Sequence, residues 1–285
     1  MSTPANPPGQ VREITAVSNP LIKELRALAL KKYRDEHRRF LAEGLKLVTD
    51  ALDGGWPVHA LLYARAAAGQ PHLMAVAARA RARGATIIEA SDKVMAAITR
   101  RDNPQTAVGA FGQRWLPAAD IRPGRDCLWI GLDRIRDPGN LGTIIRTADA
   151  VGASGVILIG ETTDPFSLEA VRATMGSIFA VPVARMSAPE FRDWRARWPG
   201  MVVGTHLGAA LDYRGLDYAG RPVLLLMGNE QRGLPEELAA ICDHLCLIPM
   251  AGKADSLNLA VATAVMAFEI RRHALSMPAV GQAVS

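Results

Sequence analysis

Met227-Gly228-Asn229-Glu230-Gln231-Arg232-Gly233-Leu234-Pro235 and, after a short helical pattern, Ile248-Pro249-Met250-Ala251-Gly252-Lys253-Ala254-Asp255-Ser256-Leu257-Asn258 decide the reading of this chain. Each segment starts in an apolar run, residues 223–227 and 245–248. Each then breaks into a loop rich in Gly, Asn, Ser and acid, with helical spacing behind it. In an open α/β sheet, loops leaving the carboxyl ends of strands bind ligands. Two adjacent loops of this kind make a site.

Upstream, residues 127–132 are a continuous apolar run, as expected for a strand covered on both faces. The polar loop 133–140 follows, and Asn140 is positioned to cap a helix over 141–151, with Leu141, Ile144, Ile145, Ala148 and Val151 on the buried face. Further strands are expected at 155–159, 181–185 and 201–205, with a helix over 168–178 holding Arg172, Thr174 and Ser177. A long apolar helix over 257–272 closes the region. Strands alternating with helices imply a parallel sheet covered on both faces, here in a domain spanning 127–275.

Residues 11–113 form a smaller α/β domain, and 114–126, with Pro117, Pro123 and Gly124, the linker between the two. The small domain opens on Ser18-Asn19-Pro20, a polar cap before the amphipathic spacing of Leu21, Ile22, Leu25, Leu28 and Ala29. Strands are expected at 40–44, 59–64, 85–90 and 107–111, and helices at 45–52, 71–83 and, capped by Ser91, 92–99. Lys23, Arg26, Lys31, Lys32, Arg34, Arg38 and Arg39 stand against only Glu24, Asp35 and Glu36, which suits either a solvated face or a stripe that contacts phosphates. Residues 1–10 and 276–285 read as tails, the first polar, Pro-rich and expected to be disordered.

Composition narrows the class. With 285 residues and 49% hydrophobic content, the chain buries a full core. The absence of a long apolar run or signal-peptide pattern points to a soluble cytoplasmic protein without a membrane partner. Cys127, Cys242 and Cys246 are an odd number in apolar surroundings, which fits reduced core thiols, and they lack zinc-ligand spacing, so no metal is expected. A net charge of +5 makes a polyanionic partner plausible.

Familiar chemistries are disfavoured in turn. Gly228 to Gly233 lacks the dinucleotide-binding order of glycines, and Gly252-Lys253 has no P-loop frame. Neither a nucleophile elbow nor a zinc-protease pair of histidines occurs. What remains is three loops with polar groups beside glycines: Asn140 with Arg146, Asn229 with Glu230, and Ser256 with Asn258.

Those loops carry a resemblance. The pattern Asn140-x-Gly142-x-x-x-Arg146-Thr147-Ala148, Gly228-Asn229-Glu230 with Gly233, and Ile248-Pro249-Met250 with Ser256-Leu257-Asn258 look, in order and spacing, like the three motifs of the SpoU class of SPOUT RNA ribose 2′-O-methyltransferases. Residues 11–50, with Ser18-Asn19-Pro20 and Phe40-x-x-Glu43-Gly44, are similar to the small substrate-binding domain often fused to the N-terminus of that catalytic domain. The chain departs from the family pattern at 171–177 and at Gln105-Thr106.

The resemblance implies an α/β fold in which a C-terminal parallel-sheet domain carries a deep trefoil knot and follows a smaller N-terminal domain like ribosomal protein L30e. It implies S-adenosylmethionine as cofactor, held by Gly228, Ile248, Leu257 and Thr205, and a homodimer with the site near the interface. The closing helix and the first-motif helix are the interface candidates. Methyl transfer to a ribose 2′-hydroxyl needs two reactants positioned and a weakly acidic proton removed. Arginine is normally fully protonated, so Arg146 is expected to stabilise the developing alkoxide or hold the acceptor phosphate, while Asn140, Glu230, Ser256 and Asn258 orient the ribose and Arg146. Ribosomal RNA is the favoured substrate, with tRNA as alternative. A non-catalytic RNA-binding protein of ribosome assembly is the competing class.

Overall fold

The computed structural model describes residues 7–101 and 104–276. The outer parts of both expected tails, residues 1–6 and 277–285, lie outside the described residues. The chain folds into two compact units, one of residues 1–114 with 164–180, the other of residues 115–163 with 181–285.

In the first unit the chain runs β1 (Val11–Ile14), α1 (Pro20–Ala27), α2 (Lys31–His37), β2 (Arg39–Glu43), α3 (Leu45–Asp53), β3 (Val58–Ala64), α4 (Pro71–Ala82), β4 (Thr86–Ala90), α5 (Asp92–Thr99) and β5 (Ala107–Gly112). The strands form one sheet in the order β1-β4-β3-β5-β2, parallel from β1 through β3 and antiparallel at β5 and β2. The expected caps are in place: Asn19 accepts from Leu21 N at 3.0 Å, and Ser91 from Val94 N at 3.4 Å.

Three local features differ from the sequence reading. β1 has a single buried residue, Ile14, so its four residues carry no alternating pattern. Gly9 N donates to Arg81 O and Gln10 O accepts from Ile87 N, so residues 9 and 10 already pair with the sheet and the helix beside it. The basic stripe is not one helix, because the chain turns at Leu28 to Leu30, between α1 and α2.

In the second unit β6 (Leu128–Asp133), α6 (Pro138–Ala150) and β7 (Gly155–Ile159) come first. The next helix, α7 (Leu168–Thr174), lies in the segment that packs into the first unit. The second unit resumes with β8 (Val183–Met186), α8 (Ala188–Arg195), β9 (Met201–Thr205), β10 (Leu211–Asp212), β11 (Val223–Met227), α9 (Glu236–Ala239), β12 (His244–Leu247) and α10 (Leu259–Arg271). Seven strands pair in the order β10-β12-β9-β11-β6-β7-β8, every pair parallel. β11 is buried at all five positions and β6 at all six, as strands covered on both faces must be. α10 packs along α6 and over β6 and β11. α8, absent from the sequence reading, carries a full capping box between Ser187 and Glu190, a signal legible as Ser-x-x-Glu.

The helix expected over 168–178 ends at Thr174, because Met175 is left-handed (φ 53°) and Gly176 follows at φ 109°. At that φ an L side chain is strained, so the position favours glycine. Segment 164–180 is then fastened within the first unit. Phe166 packs tilted against Phe40 and Phe179 stacks with it (centroids 4.8 and 6.1 Å), and Trp56 Nε1 donates to Phe179 O at 3.0 Å. Arg172 clasps Glu43 with Nε–Oε2 at 2.9 Å and Nη2–Oε1 at 2.7 Å, and also donates to Thr99 O.

The Glu43 carboxylate is only 1% exposed, so removing Arg172 leaves a buried charge with only the more distant Arg101, at 4.0 Å, beside it. Arg172→Ala is expected to lower the stability of this unit by about 3 kcal/mol, the low end for a broken buried pair because Arg172 is partly solvated. Urea titration followed by tryptophan fluorescence checks this, and an unchanged midpoint would show the clasp to be dispensable.

Candidate active site

Parallel pairing puts the carboxyl ends of β12, β9, β11 and β6 side by side. The loops that leave β12, β11 and β6 are the polar segments singled out in the sequence, and β9 adds the short loop that follows Thr205. Between three of them lies a cavity of about 320 Å³ whose walls include Thr205, Gly228, Glu230, Ile248, Ser256 and Leu257. All four residues expected to hold a cofactor therefore line one cavity, with two of the five expected catalytic residues. A larger cavity of about 740 Å³ takes its walls from segment 118–123, α8 and the edge strand β8 rather than from these loops.

The loop after β11 is a tight hairpin in which Asn229 and Gly233 exchange backbone hydrogen bonds of 3.0 and 2.8 Å. A Cβ on Gly228 would fall onto the backbone of Gly233 and Leu234, so only glycine closes this turn. The loop between β12 and α10 is different. Among the described residues, the backbone of residues 249–257 forms no hydrogen bond to other backbone groups. Unpaired donors and acceptors beside an apolar wall of Met227, Leu234, Ile248, Leu257 and Leu259 suit a ligand with one polar and one apolar face.

Asn140 is not the cap of α6. The helix begins at Pro138, and Asp137 is its cap, with Oδ1 accepting from Asn140 N at 2.6 Å. Asp-Pro before a helix is itself a start signal, since proline is favoured in the first turn. The consequence is that the Asn140 side chain is free for other partners.

Those partners are the other motif residues. Asn258 caps α10, its Oδ1 accepting from Ala260 N (2.9 Å) and Val261 N (3.3 Å). With the oxygen so used, Nδ2 must point away, and it donates to Asn140 Oδ1 at 3.0 Å. Asn140 Nδ2 in turn donates to Glu230 Oε1 at 3.5 Å. The Glu230 carboxylate also accepts from Asp137 N (3.3 Å), Arg136 N (3.4 Å) and Asn229 Nδ2 (3.3 Å). A carboxylate at the first turn of α6 also meets the positive end of that helix. Asn229 Nδ2 further donates to Arg134 O at 2.8 Å, which ties the β11 loop to the β6 loop.

The structure thus brings Asn258, Asn140 and Glu230 into one relay, with Ser256 exposed on the cavity wall. Arg146 stands apart. It is exposed, makes no hydrogen bond or ion pair to the described residues, and lies six residues, about 9 Å, further along α6 than Asn140. Sequence reasoning missed Asp137 as the cap and the backbone amides of Arg136 and Asp137 as partners of Glu230.

The thiols beside the site are neutral. Burial pushes Cys246, in the cavity wall, above its usual range, and Cys242, which donates to Leu238 O, up to about 12. All three cysteines are free.

The basic stripe of the first unit divides. Lys23, Arg26, Lys32 and Arg38 are exposed without an ion pair among the described residues, whereas Lys31 pairs with Asp35 (2.6 Å) and Arg39 with Glu24 (3.0 Å). Arg34 departs from the expectation of a phosphate contact. It is 3% exposed, and its guanidinium is consumed by Asp164 (2.7 Å) and the carbonyls of Leu28 and Ala29, so it faces inward.

Comparison with known proteins agrees with this geometry. The profile of the SpoU rRNA Methylase family matches residues 128–268, and that of an MRM3-like substrate binding domain matches residues 19–109. The chain is 35% identical to the 23S rRNA (uridine(2479)-2'-O)-methyltransferase of Streptomyces viridochromogenes over 87% of its length and 88% of the relative's. It is 31% identical to the 23S rRNA (guanosine(2553)-2'-O)-methyltransferase RlmP of Bacillus subtilis, over 92% of this chain and all of that one. The AdoMet-bound rRNA methyltransferase from Sinorhizobium meliloti superposes with a TM-score of 0.89 at 58% identity, covering 94% of this chain and 100% of that structure. The chain belongs to the SpoU rRNA methylase family, with an MRM3-like substrate-binding domain ahead of its methylase domain.

Proposed function

We propose that this protein is an S-adenosylmethionine-dependent RNA methyltransferase that methylates a ribose 2′-hydroxyl of ribosomal RNA in the cytoplasm. The observation that carries the reading is the meeting of the second and third motif loops at one cavity, with Asn140 of the first motif joined by hydrogen bonds to Asn258 and Glu230. The 23S rRNA methyltransferases among its relatives support ribosomal RNA over tRNA.

The cavity's residues fit the cofactor: Thr205, Gly228, Ile248 and Leu257 would hold it, with the unpaired backbone of 249–257 available to its polar edges. When bound, S-adenosylmethionine supplies a methyl group activated on a sulfonium. The chain's own residues do the rest. The relay holds the Glu230 carboxylate and the Asn140 amide in one orientation, and Ser256 offers a hydroxyl at the wall. Arg146, a permanent cation, stabilises the alkoxide or holds the acceptor phosphate.

The family's trefoil knot, threaded by the chain around the last two motifs, and an L30e-like first domain are part of this proposal. So is a homodimer. Val261 and Phe268, seven residues apart on α10, are about half exposed, which supports an interface along that helix. On the adjoining α6, Arg146, left without a partner among the described residues, supports a site completed near it.

Four outcomes are expected. Loss of the gene should remove one 2′-O-methyl mark from 23S rRNA, and Arg146→Ala should fail to restore it while still binding RNA. Mapping of ribose methylation tests both, and a mark lost from tRNA instead would overturn the substrate. Reversing Lys23, Arg26, Lys32 and Arg38 should reduce the slope of log affinity against log salt by roughly 0.7–0.9 per lost phosphate contact. Equal slopes would make the stripe a solvated face. Phe268→Glu should halve the mass seen by light scattering, and an unchanged mass would exclude the α10 interface.

A further inference from the structure

Among the described residues, nine large hydrophobic side chains are exposed, and three of them, Leu207, Met250 and Leu257, line the cavity between the motif loops. Leu207 is the most exposed of all, at 66% against 37% for the other two. It sits two residues beyond Thr205, at the carboxyl end of β9.

The residues that flank Leu207 are hydrogen-bonded in place. His206 N donates to Cys246 O (3.0 Å), Ala209 N to His206 O (3.1 Å), and Gly208 N to His206 Nδ1 (3.1 Å). Three hydrogen bonds pin the turn, and none depends on the leucine side chain. The fold therefore holds a bare isobutyl group outward at the mouth of the cavity, where burial against a ligand would stabilise it. Arg232 lines the same cavity and has no ion pair among the described residues. One apolar face and one unpaired cation at the same opening complement a nucleotide, which has a flat base and an anionic phosphate.

We propose that Leu207 receives the base of the acceptor nucleotide, an inference that rests on the functional reading above. A nucleotide that turns out of its stack to bring its 2′-hydroxyl into a concave site leaves its base without stacking partners. An aliphatic surface restores part of that contact without reading the base's hydrogen-bonding edge. Leu207 thus contributes to RNA binding and leaves the choice of base to other contacts.

The test uses the full chain and an unmodified 23S rRNA transcript. Leu207→Ala should raise the KM for RNA about tenfold, the loss expected for a trimmed apolar contact, while leaving the dissociation constant of S-adenosylmethionine unchanged by calorimetry. Leu207→Met should recover most of the loss. Because the side chain is exposed, the melting temperatures of both variants should match the parent's, which separates contact from folding. An unchanged RNA KM would overturn the proposal. So would weakened S-adenosylmethionine binding with an unchanged RNA KM, which would assign Leu207 to the cofactor. A parent protein that binds S-adenosylmethionine but methylates neither 23S rRNA nor tRNA would overturn the functional reading, and the role of Leu207 with it.

Discussion

Four loops can meet because the strands that launch them are parallel neighbours. A parallel strand delivers its carboxyl end to the same edge of the sheet as the next, so β12, β9, β11 and β6 release residues 248–258, 206–209, 228–235 and 134–137 along one rim. Nothing in those loops is apolar enough to fold by itself. Their geometry is inherited from a sheet whose central strands β6 and β11 are buried at every position, and it holds as long as that core holds.

The side-chain relay is the second constraint, and it follows from helix capping. The Asn258 oxygen is committed to the first amides of α10, and Asp137 takes the capping duty at α6. Each amide group is thereby given one orientation, and Asn140 is released to face a carboxylate. Glu230 ends as an acceptor among side-chain and backbone donors, which holds it in place whether or not it touches a substrate. Helix caps usually serve the helix alone. Here they also aim the groups beside the cavity.

In the first unit, the segment 164–180 follows β7 in the chain yet is held by Arg172 on Glu43, Arg34 on Asp164 and the Phe40 cluster. Glu43 is nearly dry and Arg34 buried, so each carries a large penalty unless its partner is present. Arg34, which looks like a ligand contact in the sequence, is thus an internal fastener. Burial, not charge, separates it from Lys23 or Lys32 on the same stretch.

Much was legible from residues alone. Strands β7, β9 and β11 and helix α5 fall where periodicity and caps put them, because buried strands and capped amphipathic helices write their own boundaries. The three motifs were legible for the same reason: glycine turns and polar side chains interrupt apolar runs at set intervals. The structure alone decided the rest. A four-residue edge strand such as β1 has too few positions to show a period, and the left-handed Met175 that ends α7 carries no residue signal. Whether Arg34 faces water, and whether Asn140 caps a helix or meets Glu230, depends on residues 130 and 90 positions away. Local propensity sets which groups a segment can offer; only long-range packing decides which of them are used up inside.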